Sequence, residues 1–308
     1  MTLKDVKIGL ALGSGAARGW AHIGVLRVLL ANDIPIDVIA GSSIGAIVGA
    51  AQATGALDAL HERVRALTFR EVLTMLDYRG ISGGLVGNAS LMKELADIGI
   101  TGRIEALPIP FMAIATDLVS GREMWLREGD LSSALRASSA IPGIFAPVRL
   151  NGCWMIDGGL VDPVPVVACR SLGADIVIAV DLSENLTGRQ RLPQLEHIHT
   201  DTLNALADRL PAVLGTPLRW LAPERREEPG KPGYFDVMAQ ALNIMTAHIT
   251  RARLSGHPPQ VLIRPPLLDI DTFDFDKGHE AILEGERAAR AALPHIRATI
   301  AAYTAPRS

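Results

Sequence analysis

The sequence contains little cysteine, no excess of basic residues and no long uninterrupted apolar run. Its two cysteines, Cys153 and Cys169, are too few for a disulfide framework or a complete cysteine-based zinc site. The formal net charge of -3 gives no general electrostatic reason to bind nucleic acid. We therefore expect a protein of a reducing compartment that does not bind nucleic acid.

Features of a targeting segment are also missing. The N-terminus reaches Gly13 and Gly15 soon after its basic residues, without the apolar core and cleavage site of a signal peptide. The most apolar stretch, residues 34–50, is interrupted by Asp37 and by serines, and falls short of the roughly 18 apolar residues that suggest a membrane span. We expect a cytoplasmic protein whose membrane contact, at the inner membrane surface, would be peripheral.

What the chain does contain is a repeating pattern of apolar runs. Residues 6–12 and 36–40 predict buried strands, and residues 19–33 have apolar side chains at helical spacing. The pair Asn151-Gly152 lies between two short apolar segments and predicts a β-hairpin. Alternating strands and helices predict an α/β protein with a parallel or mixed sheet covered on both faces.

The pattern divides the chain into three segments. Residues 1–182 form a core, residues 183–233 an insertion or flexible loop region, and residues 234–308 a helical and strand segment that completes the same domain. The glycine-rich stretch 79–90 is predicted to be a mobile loop, suited to act as a lid.

The first motif that suggests chemistry is Gly41-Ser42-Ser43-Ile44-Gly45, between a predicted strand and a predicted helix. Glycines on both sides permit a sharp turn that presents the Ser43 hydroxyl as a nucleophile. The alternative is an ordinary turn in which a serine caps the helix.

The second motif, "LGSGAARG", places backbone N–H groups at the start of a helix, where an anion or a developing oxyanion would bind. A dinucleotide fingerprint is the alternative. Gly13 and Gly15 fit that fingerprint, but Arg18 occupies its third glycine position. Arg18 would instead anchor the loop or attract a phosphate-bearing substrate.

The third motif is "DGGLVDP", in which Asp157 leaves a strand and is followed by Gly158 and Gly159. Asp157 is a candidate base, and the alternative is a simple Asp-Gly turn.

Four further polar residues are expected to have structural roles. Asp162 is expected to cap the following helix and His22 to pack near the sheet, neither of them joining catalysis. Ser138 and Ser139 could approach the pocket, but serines in an alanine-rich stretch more often cap helix ends.

A nucleophilic serine needs a base. A triad in α/β-hydrolase order would take its histidine from His257 or His279, and neither lies in a motif that indicates catalysis. A pair of Ser43 and Asp157 alone is the simpler arrangement.

Four segments in this order, "GSGAARGWAHIGVL", "GSSIGAIVGA", "ASSAIPGIFAPV" and "DGGLVDPVP", resemble the patatin-like phospholipase family. The resemblance is closest to bacterial members related to the catalytic domain of neuropathy target esterase, and it covers at least residues 7–182. It implies a three-layer α/β/α fold with a central, mostly parallel sheet. It also implies that Ser43 is the nucleophile and Asp157 its direct base, without histidine.

The resemblance further implies hydrolysis of a phospholipid, a lysophospholipid or another fatty-acyl ester through an acyl-Ser43 intermediate, with no cofactor and no metal. The amides of Gly15 and Ala16, helped by the loop at Gly13 and Ser14, would stabilise the oxyanion.

Relatives commonly have three or four consecutive glycines in the oxyanion loop, and here Ser14 and Ala16 interrupt them. Ala16 therefore needs a backbone conformation that glycine adopts more freely.

Two other functions remain open at this point. One is a regulatory or scaffold protein with little turnover, which could use residues 222–233 or the loop 79–90 for a partner, and the other is acyl transfer to an alcohol other than water. For the hydrolase, a catalytic aspartate predicts a rate that falls only on the acid side, without a histidine-like limb near pH 6.5.

Overall fold

The computed structural model describes residues 6–68, 71, 77–78, 86–87, 89–183 and 234–305. Most of the predicted lid at 79–90, and the predicted insertion 183–233 apart from Ser183, lie outside the described residues. The charged stretch 222–233 lies outside them as well.

Among the described residues, eight strands form one mixed sheet. They are β1 (Ile8–Leu12), β2 (Val38–Ser42), β5 (Phe111–Asp117), β6 (Glu123–Leu126), β7 (Val148–Leu150), β8 (Cys153–Asp157), β9 (Ile176–Val180) and β10 (Val261–Ile263). The short strands β3 (Asp77–Tyr78) and β4 (Val86–Gly87) pair separately as a hairpin. The main sheet has the order β10-β9-β1-β2-β5-β8-β7, and β6 also pairs with β5. The strands from β10 to β5 in that order are parallel, whereas β6, β7 and β8 make antiparallel pairs.

The described helices are α1 (Ala21–Ala31), α2 (Ile44–Thr54), α3 (Leu57–Arg65), α4 (Ala89–Asp97), α5 (Leu131–Ser138), α6 (Val166–Ser171), α7 (Tyr234–Gly256) and α8 (Gly278–Thr304). Short 3-10 turns occur at Ala16–Trp20, Ile104–Ala106, Gly158–Leu160 and Phe275–Lys277. No helix in this described set is long and apolar enough to cross a bilayer.

Helices cover both faces of the sheet. On β1, Leu10 and Leu12 belong to one buried cluster with residues of α1, α2 and α8, whereas Ala11 belongs to a second cluster with Val166 and Cys169 of α6. Successive side chains of a strand point to opposite faces, so a strand buried on both sides becomes apolar at every position. The predicted three-layer α/β/α arrangement is confirmed.

The hairpin predicted at Asn151-Gly152 is also confirmed. Both residues have positive φ, 50° and 84°, as a tight turn between two antiparallel strands requires. Strands β7 and β8 pair across this turn, with Leu150 opposite Cys153.

The edge of β5 carries two strands end to end. Strand β2 runs parallel to β5 and ends with Ser42 opposite Ile114, while β8 runs antiparallel and ends with Asp157 opposite the next residue, Ala115. Strand β6 pairs with both of these β5 residues and must therefore occupy the opposite edge. The carboxyl ends of β2 and β8 consequently meet, which brings Ser43 and Asp157 together.

The chain divides into two compact units. The first comprises Met1–Glu184 and Thr246–Ser308, and contains the main sheet. The second comprises Asn185–Met245, of which the structure describes residues 234–245, the amino-terminal half of α7.

Candidate active site

Ser43 lies in a sharp turn between β2 and α2, residues 41–45, which we call the elbow. Its φ of 56° and ψ of -125° are unusual for a residue with a side chain, and such strain persists only where the surrounding structure imposes it. Gly41 and Gly45 permit the close approach of strand and helix. A Cβ on Gly41 would lie 2.6 Å from the backbone nitrogen of Ala46, and one on Gly45 would overlap the Leu12 carbonyl oxygen.

The Ser43 hydroxyl contacts the carboxylate that the sheet places beside it. Ser43 Oγ donates a hydrogen bond to Asp157 Oδ2 at 2.6 Å. Both residues are buried, with 2% of Ser43 and 5% of Asp157 exposed. A serine hydroxyl that donates a hydrogen bond directly to a buried carboxylate has the arrangement that an activated serine requires.

Asp157 is fixed by its side chain and by its backbone. Its second oxygen, Oδ1, accepts the N–H of Gly159 at 2.7 Å, and its own N–H donates to the Ala140 carbonyl at 3.0 Å. Burial raises the pKa of Asp157 to about 6, against the opposing effects of the hydrogen bonds from Ser43 and Gly159. The carboxylate is therefore a stronger base than an exposed aspartate, yet it is ionised above about pH 6.

Gly158 and Gly159 are required by close contacts in this turn. A Cβ on Gly158 would overlap the Ile114 carbonyl oxygen, and one on Gly159 would lie 2.6 Å from Ser14 Oγ and 3.0 Å from Asp157 Oδ1. These two glycines thus let the aspartate approach both the elbow and the loop after β1.

Ser138 holds the backbone of Ser43. Its Oγ accepts the N–H of Ser43 at 3.0 Å, and the side chain is fully buried at the last position of α5. The sequence favoured a helix cap for Ser138 over a position near the pocket. The alanine-rich sequence around it gave no local signal for this contact, because its partner lies 95 residues away.

The loop after β1 lies against the elbow. The amides of Gly13 and Ser14 donate to the carbonyls of Val180 and Pro163, at 3.0 and 2.8 Å, so neither is available to an oxyanion. In the described part of the chain, no group accepts a hydrogen bond from the N–H of Gly15 or Ala16. Of the four backbone N–H groups considered as donors to an oxyanion, those of Gly15 and Ala16 therefore remain as candidates.

Ala16 has a φ of 49°, in the left-handed region that glycine adopts more freely. Ala16 therefore adopts the backbone conformation, less favourable for alanine than for glycine, that was expected from its place in the loop. Gly15 has extended backbone, with a φ of 170°.

His22 forms a hydrogen bond with the backbone of the same loop. Its Nε2 lies 2.7 Å from the Gly13 carbonyl oxygen and must donate, because a carbonyl only accepts. The ring is fully buried, and burial lowers the pKa of His22 to about 4. His22 is thus a neutral structural donor.

Arg18 follows the loop in the Ala16–Trp20 turn, with only 2% of its surface exposed. This burial leaves little of its guanidinium accessible to a substrate phosphate, and of the two roles expected for Arg18 it favours anchoring the loop. Next to it, the N–H of Ala17 donates to the Thr272 carbonyl at 3.1 Å.

The prediction that Asp162 caps the next helix is wrong. The residue at that helix start is Pro165, without a side-chain cap. Asp162 Oδ1 instead binds Arg253 Nε at 2.9 Å, and Arg253 also binds Glu123 at 2.6 Å. Burial, together with the charge of Glu123, raises the pKa of Asp162 to about 8, and Arg253 opposes the rise.

Histidine does not enter the pair. His257 and His279, the two candidates for a triad, are exposed, whereas Ser43 and Asp157 are buried. Within the described ranges, no histidine nitrogen forms a hydrogen bond with either residue.

The model of the patatin-like phospholipase family matches residues 10–170, about half of the chain. Uncharacterized NTE family proteins of Mycobacterium bovis and Mycobacterium tuberculosis are each 33% identical to it over 93% of this chain and 91% of theirs. Lysophospholipase NTE1 of Kluyveromyces lactis is 28% identical over 96% of this chain, which spans 20% of that longer protein. The resemblance noted in the sequence is confirmed. This chain belongs to the patatin-like phospholipase family of lipid-ester hydrolases.

Proposed function

We propose that this protein is a serine acyl-hydrolase that cleaves fatty-acyl esters of phospholipids or lysophospholipids through an acyl-Ser43 intermediate. The observation that carries the proposal is the 2.6 Å hydrogen bond from Ser43 Oγ to Asp157 Oδ2. The name of the Kluyveromyces lactis relative, a lysophospholipase, supports this class of substrate. We also propose that the enzyme is cytoplasmic and that it reaches its lipid substrate by peripheral contact with a membrane surface.

In the first half of the reaction, Asp157 Oδ2 takes the proton of the Ser43 hydroxyl as Ser43 Oγ attacks the ester carbonyl carbon. The carbonyl oxygen becomes an oxyanion, to which the N–H groups of Gly15 and Ala16 would donate. The intermediate then collapses, the bond to the alcohol breaks, and the proton on Asp157 passes to the departing oxygen. The acyl group remains on Ser43.

In the second half, Asp157 takes a proton from a water molecule, whose oxygen attacks the acyl carbon. The bond to Ser43 Oγ breaks, the proton returns to Ser43, and the fatty acid leaves. Gly159 keeps Asp157 Oδ1 occupied throughout, so Oδ2 is the oxygen that handles the proton. Acyl transfer to another alcohol would use the same intermediate.

Reaction with a fluorophosphonate probe tests this proposal. We expect a covalent adduct on Ser43 of the wild type and strongly reduced labelling in Ser43→Ala and Asp157→Asn. Ser42→Ala is the matched control, because Ser42 is the adjacent buried serine and is not the proposed nucleophile.

Folded wild type that does not react would contradict the proposal. The scaffold interpretation would then be favoured, and the strained backbone of Ala16 would be the first feature to test, with Ala16→Gly.

A further inference from the structure

Directly after α5 the chain contains a run of apolar residues that is not buried. Six of the seven residues at 141–147 are partly exposed, and they are Ile141, Pro142, Ile144, Phe145, Ala146 and Pro147. Ile141, Ile144, Phe145 and Ala146 are not among the residues that form, or pack against, either buried cluster of the described residues. Apolar side chains that remain partly in contact with water are unfavourable, so a run of them suggests a site that binds something apolar.

This segment is an ordered turn. The Ile141 N–H donates to the Ser139 carbonyl at 2.9 Å, and the N–H groups of Ile144 and Phe145 donate to the Ile141 carbonyl at 3.1 and 2.9 Å. Gly143 has a φ of 80°, as the reversal requires. The turn therefore holds three large apolar side chains in a fixed backbone frame.

Both ends of the turn are attached to the catalytic pair. On its amino-terminal side, Ser138 Oγ accepts the Ser43 N–H and the Ala140 carbonyl accepts the Asp157 N–H, each at 3.0 Å. On its carboxyl-terminal side it continues into β7, which pairs with β8, the strand that ends at Asp157. The residues that flank the turn are thus tied to Ser43 and Asp157 on its amino-terminal side and to the strand of Asp157 on its carboxyl-terminal side.

We infer that residues 141–147 form the wall that binds the acyl chain of the ester, with Ile141, Ile144 and Phe145 as its contact side chains. The inference rests on the proposed function and names the part of the substrate that the turn recognises. When the ester carbonyl lies at Ser43, the hydrocarbon that extends from it needs an apolar surface within a few ångströms. Each methylene transferred from water to such a surface contributes about fourfold in affinity.

An acyl chain fits this surface better than a protein partner does. A stable protein interface takes about 20 to 30 residues from each side, and the turn has seven. A hydrocarbon chain is only a few ångströms wide and needs no more than a few apolar contacts along its length.

The test measures kcat/KM for p-nitrophenyl butanoate and p-nitrophenyl decanoate, each used below the concentration at which it aggregates. In Phe145→Ala and in Ile144→Ala, we expect the ratio of decanoate to butanoate kcat/KM to fall about tenfold, the size of a few lost methylene contacts. The matched control is Leu283→Ala on α8, which removes an apolar side chain that is 46% exposed. Its ratio should equal that of the wild type. Phe145→Leu provides a milder change if Phe145→Ala fails to fold.

An unchanged ratio in the Phe145 and Ile144 variants would overturn the inference, and so would an equal loss for both esters. Weakened binding to phosphatidylcholine vesicles with an unchanged ratio would do the same and indicate a membrane contact instead. Each of these results leaves the proposed function intact, provided that Ser43→Ala abolishes turnover. A folded wild type that hydrolyses neither ester would contradict the proposed function, and the inference with it.

Discussion

Asp157 and Asp162 lie five residues apart, on either side of the same tight turn, and have very different neighbours. Both are buried, with 5% and 1% of their surfaces exposed. Burial raises the pKa of Asp157 to about 6 and, together with the charge of Glu123, raises the pKa of Asp162 to about 8. Asp157 contacts a hydroxyl and an amide, whereas Asp162 contacts Arg253.

The difference shows that burial alone does not make a base. Near neutral pH, Asp157 is largely ionised and its free oxygen lies on a serine hydroxyl, so it can accept a proton. The pKa of Asp162 is raised further, to about 8, and among the described residues its contact is the Arg253 guanidinium and not a hydroxyl. Its position is structural, because the carbonyl of the next residue, Pro163, accepts the Ser14 N–H and fixes the loop after β1.

The sharpest test of this comparison is the same substitution at both positions. Asp157→Asn should lower kcat on a short-chain ester by at least about a thousandfold, because the serine loses its base. Asp162→Asn, its matched control, should stay within about threefold of the wild type, because asparagine has the shape of the protonated acid. Initial rates near pH 7, with circular dichroism to verify folding, measure both. Comparable losses in the two variants would show that Asp157 acts through structure.

The second test is stability against pH. A folded pKa raised above the unfolded value of about 3.8 gives stability that is present below that value and lost as the pH rises through about 6. Asp157→Asn removes this loss, so its gain over the wild type should grow from near zero at about pH 4 to about 3 kcal/mol at about pH 8. Urea unfolding measures the difference.

The lowered pKa of His22 acts in the opposite sense, giving stability that is lost as the pH falls from about 6.5 through about 4. Because His22 is present in the wild type and in Asp157→Asn alike, its contribution cancels when the two free energies of unfolding are subtracted. Asp162→Asn should also gain stability over the wild type as the pH rises, and this gain should continue to grow up to about pH 8. A gain that does not vary with pH in either variant would contradict the assigned burial effects.

The third test is the pH–rate profile. We expect the wild-type kcat/KM to fall about tenfold per pH unit below about pH 6, where Asp157 becomes protonated, and Asp162→Asn to keep this limb. The sequence alone predicted no limb in the histidine range, and burial now places the aspartate limb near that range. Temperature separates the two groups, since a carboxylic acid ionises with little heat and an imidazolium with much. A limb that shifts strongly with temperature would indicate histidine.

The smallest expected effect concerns the backbone of Ser43, because the proposed reaction requires the Ser43 hydroxyl to be placed correctly beside Asp157. Ser138→Ala leaves the buried Ser43 N–H without its acceptor, at about 1 to 3 kcal/mol of stability. We expect kcat to fall about tenfold with little change in KM. Ser139→Ala is the control, because Ser139 Oγ donates to the Leu135 carbonyl within its own helical turn. Equal effects of the two changes would contradict a specific role for Ser138.

Local features of the fold could be read from the sequence because their causes are local. Gly41 and Gly45 mark a turn that side chains would block, and Asn151-Gly152 supplies two residues that tolerate positive φ. The apolar strands could be recognised in the same way, since a strand buried on both faces carries apolar residues at successive positions.

The neighbours of these residues could not be read in this way. Ser138 and Ser43 are 95 residues apart, and Arg253 and Asp162 are 91 apart, so no spacing in the chain signals either contact. The caps assigned to Ser138 and Asp162 relied on neighbours in the sequence, whereas the actual partners come from other elements of the fold.

The sequence by itself determined the sheet-forming runs, the elbow at Ser43, the hairpin before Asp157 and the family resemblance, because each depends on residues close together in the chain. Only the tertiary structure decided that β2 and β8 end side by side along β5, that Asp162 contacts Arg253 and does not cap a helix, and what pKa each of the two aspartates has. The physical reason is that burial and long-range hydrogen bonds belong to the packed molecule, and a pKa responds to everything around the group.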